Sequence, residues 1–340
     1  MKRALAIAAA LLGATPAAAD PTYVLRLATS APDGTSWARE ARALARDVAA
    51  ESHGSIQVKW YLGGIAGDEL EVARRIQRGQ IDGIVSGGML CERVAPSVRA
   101  LHLTGVYPDR DAASWVASKL RPTFADEAVK SGFALLATIG LGPTVVFSRE
   151  PIRDMADLRR ARLWRWDLDD VGLAMVGEMG FHVTPLPLVE AGRAYDQGRV
   201  DGFLAIPTGA LAFQWSAQAR YLLQQDLDYL IGCMLVANRA MDELPVEGQQ
   251  VLRSAAAKLQ QRIEDLGRRQ DEALMSGLFA RQGLKPVAPS NAFRAEFLAA
   301  ARAARERLGD KLVPRALMLQ VGRLLEDYRV ERAAAAREPR

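Results

Sequence analysis

Glu71-Val72-Ala73-Arg74-Arg75-Ile76-Gln77-Arg78-Gly79-Gln80-Ile81-Asp82-Gly83 returns as Glu190-Ala191-Gly192-Arg193-Ala194-Tyr195-Asp196-Gln197-Gly198-Arg199-Val200-Asp201-Gly202, 119 positions later. Glu, Arg, Gly, Ile or Val, Asp and Gly keep their places without a gap. Each copy has the pattern of a short helix closed by a glycine, which can take the left-handed cap, and turned directly into a strand. An ancient duplication accounts for the match, and so does coincidence between two ordinary helix-to-strand turns. Either way, the chain is expected to hold two similar α/β lobes.

The flanks follow the same grammar. Before the first copy, Tyr23–Thr29 alternates as a strand. Thr35 or Ser36 then caps a helix to about Ser52, and Ile56–Tyr61 is a second strand. Asp68 with Glu71 three residues on caps the helix of the first copy, and Ile81–Ser86 is a third strand. Around the second copy lie strands at Arg162–Trp166, Val183–Leu186 and Val200–Ile206, with a helix reaching about Met179. Strand and helix alternating in this way predicts parallel sheets with covering helices.

Past residue 230 the pattern changes. Tyr229–Asn238 is an apolar strand. From Pro245 to about Phe279, Leu252, Ala256, Leu259, Ile263, Leu266, Leu274 and Leu278 form a helical stripe. Such a helix is about 50 Å long, enough to bridge both lobes, with Gly267 a candidate kink. Two more helices are expected at about 292–306 and 313–330, and a frayed tail at 331–340. Lobe I is expected to take residues 20–145 and 230–270, lobe II residues 146–229 and 271–330.

Lys2 and Arg3 precede an apolar run from Ala4 to Leu12, and Ala17-Ala18-Ala19 offers a cleavage site before Asp20. This is the pattern of a secretory signal peptide over residues 1–19. The run is short of the roughly 20 residues a spanning helix needs, and no cysteine follows it for a lipid anchor. The expected location is therefore the periplasm. Losing Lys2 and Arg3 takes the formal charge of the 340-residue chain from +4 to +2, with acids and bases interleaved. That gives no electrostatic case for nucleic acid. Cys91 and Cys233 are the two cysteines. Both lie in apolar, strand-like contexts and are expected as buried free thiols, although an oxidising compartment permits a bridge.

Catalytic groupings are thin. His53, His102 and His182 are far apart, and there is no zinc-type cluster or phosphate-binding loop. Gly140-Leu141-Gly142 lacks the third glycine of a dinucleotide fingerprint. Asp167, Asp169 and Asp170 are expected to cap the helix that follows them. No enzyme activity, cofactor or metal is expected.

In open α/β sheets, ligands bind beyond the carboxyl ends of the strands. That rule selects the loops 30–37, 62–67 and 86–92 in lobe I, and 166–170, 187–190 and 205–212 in lobe II. Trp37, Trp60, Trp164, Trp166 and Trp215 fall at or near these ends, as an aromatic-lined pocket requires. The expected ligand-binding residues are Trp37, Ser86, Gly87, Thr144, Trp164, Arg165, Trp166, Pro207, Gln214 and Trp215. Trp164 and Trp166 share one face of their strand, and Arg165 takes the other.

Gly63-Gly64-Ile65-Ala66-Gly67-Asp68-Glu69, with Gly79–Gly83, resembles the DctP-type substrate-binding subunits of TRAP transporters. So do Pro151-Ile152 through Asp157-Leu158, Pro185-Leu186-Pro187 with Glu190, Val200–Gly202, and Leu244-Pro245 leading into the long helix. The resemblance covers nearly the whole mature chain. It implies a two-lobed periplasmic-binding-protein fold with crossing strands and a helix spanning both lobes. It also implies a monomer that closes on one small molecule, usually an organic acid, and delivers it to membrane permease subunits. A ligand-presenting subunit of a non-TRAP sensory or hydrophobic-compound export system is the alternative, since one fold serves many partners.

The departures concern the ligand anchors. The family's usual carboxylate-reading arginine falls on Trp164, a second one on Thr144, and its asparagine near Ala205. The resemblance therefore points to a divergent subgroup. Its ligand is either a carboxylate held differently, through Arg165, or a larger and less polar molecule.

Overall fold

The computed structural model describes residues 21–335, so the expected signal peptide lies outside the described residues. Eleven strands are present among them: β1 (Tyr23–Thr29), β2 (Ile56–Tyr61), β3 (Gly83–Ser86), β4 (Phe133–Pro143), β5 (Val145–Ser148), β6 (Arg162–Trp166), β7 (His182–Leu186), β8 (Gly202–Ala205), β9 (Tyr221–Leu223), β10 (Tyr229–Ala237) and β11 (Lys285–Val287). They form a sheet of order β2-β1-β3-β10-β4 in lobe I and one of order β11-β9-β5-β8-β6-β7 in lobe II.

The two sheets share a plan. In lobe I, β1 pairs parallel with β2 and β3, and β10 runs antiparallel beside β3. In lobe II, β6 pairs parallel with β7 and β8, and β5 runs antiparallel beside β8. The order β2-β1-β3-β10 is thus matched by β7-β6-β8-β5.

The repeated residues do the same work in each lobe. Gly79 and Gly198 sit at φ +73 and +69, the left-handed caps that the sequence predicts. Asp82 takes a two-pronged hydrogen bond from Arg26 on β1, at 2.9 and 3.0 Å. Asp201 takes the same bond from Arg162 on β6, at 2.9 and 2.7 Å. A Cβ on Gly83 would lie 2.4 Å from the Leu235 carbonyl oxygen, and one on Gly202 would lie 2.2 Å from that of Phe147. Each Asp-Gly therefore anchors a central strand to its parallel neighbour and admits the antiparallel one.

Two segments cross between the lobes. β4 passes into β5 through Thr144, and β9 passes into β10 through residues 224–228. They hold each other, since Thr144 N donates to Asp228 O at 2.8 Å and Leu227 N donates to Thr144 O at 2.9 Å. The helix Val246–Ala273 is the third link. Its 28 residues give about 42 Å. It packs on β4 and on the helix Ser36–Glu51 of lobe I, and its far end meets the helix Pro207–Ala212 of lobe II. There the chain runs on to Phe279, whose ring meets Phe147 edge-on at 5.4 Å.

Several expectations need correcting. Gly267 does not kink the helix, and a Cβ there would meet the Leu141 carbonyl oxygen of β4 only at ordinary contact distance, 3.6 Å. The helical path breaks instead at Leu274–Leu278, where Gly277 takes φ 149. The final helix, Arg315–Ala335, packs on Arg110–Lys130 of lobe I rather than on lobe II. Its stripe of Val321, Leu325 and Tyr328 is buried, and Tyr328 meets Trp115 with ring centroids 5.8 Å apart. It also continues five residues into the segment expected to fray.

Cys91 and Cys233 are bridged, not free, with Cα atoms 6.0 Å apart. The reason is tertiary. β10 lies antiparallel against β3 with Cys233 opposite Ser86, and the helix Met89–Val94 that follows β3 sets Cys91 over it.

Candidate functional site

The carboxyl ends of β1, β3, β6 and β8 face one cleft between the lobes. It holds a cavity of about 1050 Å³, part of it continuous with solvent. Thr29, Ser30, Ser86 and Gly87 come from lobe I, and Trp164, Trp166, Ile206 and Gly209 from lobe II. Thr144, on the crossing between lobes, closes one side.

Eight of the ten expected residues line this cavity: Trp37, Ser86, Gly87, Thr144, Trp164, Arg165, Trp166 and Trp215. Pro207 and Gln214 do not. Pro207 opens a helix one residue past the lining Ile206. Gln214 takes φ 62 between two short helices, which turns its side chain to solvent. Trp60 is also off the cavity, packed with Ala38, Ala41 and Leu62. No residue of the 62–67 loop lines it either.

Leu141, Leu230, Leu259 and Ile263 complete the wall and were not expected there. Leu259 and Ile263 belong to the helical stripe, whose periodicity marks an apolar face without saying what it covers. Leu141 and Leu230 lie on strands apolar throughout, where no alternation separates wall from core.

An aromatic cluster forms the lobe II wall. Trp215 stacks on Phe203 at 5.2 Å and on Phe213 at 5.0 Å, and Trp164 leans on it at 4.8 Å. Trp164 is both core and lining. Its indole N–H is already spent, donating to the Leu186 carbonyl at 3.0 Å. Two half-buried tryptophans reach across the cleft in opposite directions. Trp166 of lobe II comes within 3.5 Å of a Cβ placed on Gly87, and Trp37 of lobe I within 3.9 Å of one on Gly209.

Arg165 takes the other face of β6, as expected from alternation. Its Nε donates to Asp169 at 2.5 Å and its Nη2 to Asp228 at 2.9 Å. All three side chains are buried. Burial opposes the guanidinium charge, but the two carboxylates outweigh it and hold Arg165 above its ordinary pKa. Burial also works against the Asp169 carboxylate, and Arg165 with His102 overcomes it, keeping that pKa below the usual range. Gly172 makes room for the pair, since a Cβ there would lie 2.1 Å from the guanidinium. Asp169 also caps its helix, accepting from Gly172 N at 2.8 Å, the role its type predicts.

Glu92 and His102 of lobe I meet Asp169 with ligand-type atoms within 4.8 Å of one another. Those atoms are committed to protein partners. His102 pairs with Glu92 through Nδ1 and accepts from Ile231 N at 3.0 Å through Nε2. Glu69, also buried, accepts from Gly87 N at 2.5 Å, Leu90 N at 2.7 Å and Ser86 Oγ at 2.6 Å. Its burial outweighs these bonds and raises its pKa, and the loop at the end of β3 is shaped around it. The sequence offers Glu69 only as part of a helix start.

The model of DctP, the bacterial extracellular solute-binding proteins of family 7, matches residues 27–311. The chain belongs to that family. A solute-binding protein of Chromohalobacter salexigens is 24% identical over 216 residues, covering 62% of this chain and 63% of that protein. The match thus spans under two thirds of that relative's length. Solved structures share the fold. The sugar acid binding protein DctPAm of Advenella mimigardefordensis, solved with galactonate, has a TM-score of 0.84 at 17% identity, covering 91% of this chain and 99% of that one. A TRAP periplasmic solute binding protein of Haemophilus influenzae, solved with L-gulonate, has a TM-score of 0.82 at 18% identity, covering 89% and 99%. For this family 7 protein, no helix among the described residues is long and apolar enough to cross a membrane.

Proposed function

We propose that this family 7 protein is exported, captures one small molecule between its lobes, and delivers it to a TRAP-type membrane permease. The observation that carries the reading is the cavity itself, lined from both lobes at the strand ends and closed on one side by Thr144 of a crossing segment. The Haemophilus influenzae protein, named as a TRAP periplasmic solute binding protein and solved with L-gulonate, and DctPAm, solved with galactonate, support the transport role. The ligand-binding residues are Trp37, Ser86, Gly87, Thr144, Trp164, Arg165, Trp166 and Trp215. A buried bridge between Cys91 and Cys233 fits an oxidising compartment.

Cleavage after Ala19 is the exported form's expected origin. Intact mass of protein taken from the periplasm should correspond to a chain beginning at Asp20. A mass that retains residues 1–19 would count against export by this route.

Capture is tested by native mass spectrometry of protein purified without refolding, followed by titration of whatever ligand is found. Trp37→Ala and Trp166→Ala should each weaken that ligand about ten-fold, roughly 1.4 kcal/mol. Because both side chains are half-buried, the melting temperature of the free protein should barely move. Unchanged affinity in both variants would remove the tryptophans from the site.

A further inference from the structure

We infer that the ligand is a neutral molecule with an aromatic or apolar body and a hydrogen-bond-accepting oxygen, and that carboxylates are excluded. This rests on the solute-binding reading above and names the substrate class of the same cavity.

The first observation is a charge count. Arg165 is the one cation lining the cavity among the described residues, and it is already paired with Asp169 and Asp228. Glu92 and His102 lie against Asp169. With the Glu92–His102 pair unprotonated, these five side chains carry two net negative charges, and with one proton on that pair they carry one, before counting Arg99, whose charge also acts on Glu92. A buried ligand carboxylate would add another negative charge with no counter-ion free to meet it, which a low-dielectric site resists strongly. Trp164 and Thr144 bring no charge to the cavity.

The second observation is a free donor. Nη1 of Arg165 is buried and has no hydrogen-bond partner among the described residues, although the residue lines the cavity. A buried guanidinium N–H left unpaired is costly. A ligand carbonyl, amide or hydroxyl oxygen that seats against Arg165 and opens a path to this covered atom would satisfy it without adding charge. Arg165 is thus short of one hydrogen-bond acceptor while its charge is spent inside the protein. The third observation is the rest of the wall. Trp37, Trp166 and Phe213 present partly exposed aromatic surface, and the hydroxyls of Ser30 and Thr144 are among the few other polar groups. Such a wall suits a flat apolar body with one polar end.

The test pairs molecules that differ only in charge. Indole-3-acetamide is set against indole-3-acetate and phenylacetamide against phenylacetate, with galactonate and succinate added. Binding to the full mature protein is measured by calorimetry at pH 7, beside a thermal-shift screen of a metabolite library sorted by charge. The expected result is at least ten-fold tighter binding of the amides, neutral compounds alone among the screen's hits, and no binding of galactonate or succinate. Asp228→Asn, which frees one charge of Arg165, should narrow the amide-to-acid ratio at least ten-fold. Asp169→Asn should do the same, should the first variant not fold. A preference for carboxylates in the wild type overturns the inference and leaves solute capture standing. An unchanged ratio in a folded variant also overturns it. No hit of any charge, with no co-purified ligand, overturns solute capture itself.

Discussion

Replacing Arg165 with alanine is expected to lower the stability of the folded protein by about 3–5 kcal/mol, the usual cost of breaking a buried ion pair from one side. The substitution leaves Asp169 and Asp228 buried, each stripped of its counter-ion. It also strands a carboxylate on the crossing segment at the residue whose carbonyl accepts the Thr144 N–H. Stability and lobe geometry should therefore fail together. Urea unfolding would show a lower midpoint, and small-angle scattering a more open molecule. Arg165→Lys keeps the charge but cannot hold both carboxylates in the same fork, so it should fall between wild type and alanine. A loss under about 1 kcal/mol in Arg165→Ala would mean that the three side chains are not a buried, mutually dependent group.

The bridge between Cys91 and Cys233 carries the second large effect. It closes a loop of 142 residues, for which chain entropy alone gives about 5 kcal/mol of stabilisation. A Cys91→Ser/Cys233→Ser variant should melt on the order of 10 °C below the wild type. Reduction of the wild type should reproduce most of that fall, and adding reductant to the double variant should do nothing further. Ligand affinity should drop too, because Cys233 pairs in register with Ser86 on β3, and Ser86 lines the cavity. Equal melting temperatures with and without reductant would show that the bridge does not constrain the folded protein.

How far the molecule was legible before folding differs between its parts. Helix starts and strand ends were readable because their causes are local. Thr35, Asp68 and Asp169 cap through bonds that reach only three residues along the chain. Eight of the ten residues expected to bind ligand line the cavity, most of them because parallel strands send their carboxyl ends to one side, a rule of connection. The misses share another cause. Pro207 and Gln214 lie on a loop whose turn conformations orient each side chain separately. Trp60 lies at the right strand end, but on the face that packs inward. The last helix joins lobe I because its apolar stripe fits Arg110–Lys130, and a stripe does not name its partner.

By itself the sequence determined the two α/β lobes, the repeated Gly and Asp-Gly turns, the family, and the strand ends where a ligand would lie. Each follows from local backbone preference or from residue spacing. Only the tertiary structure decided that Cys91 meets Cys233, that Asp82 and Asp201 hold matching arginines, and that Arg165 is neutralised by Asp169 and Asp228. Those depend on which distant segments the lobes bring together. The same is true of the cavity's charge. The sequence places Arg165 beside Trp164, but only folding brings up the second carboxylate, Asp228, 63 positions away, that leaves the arginine without a free charge.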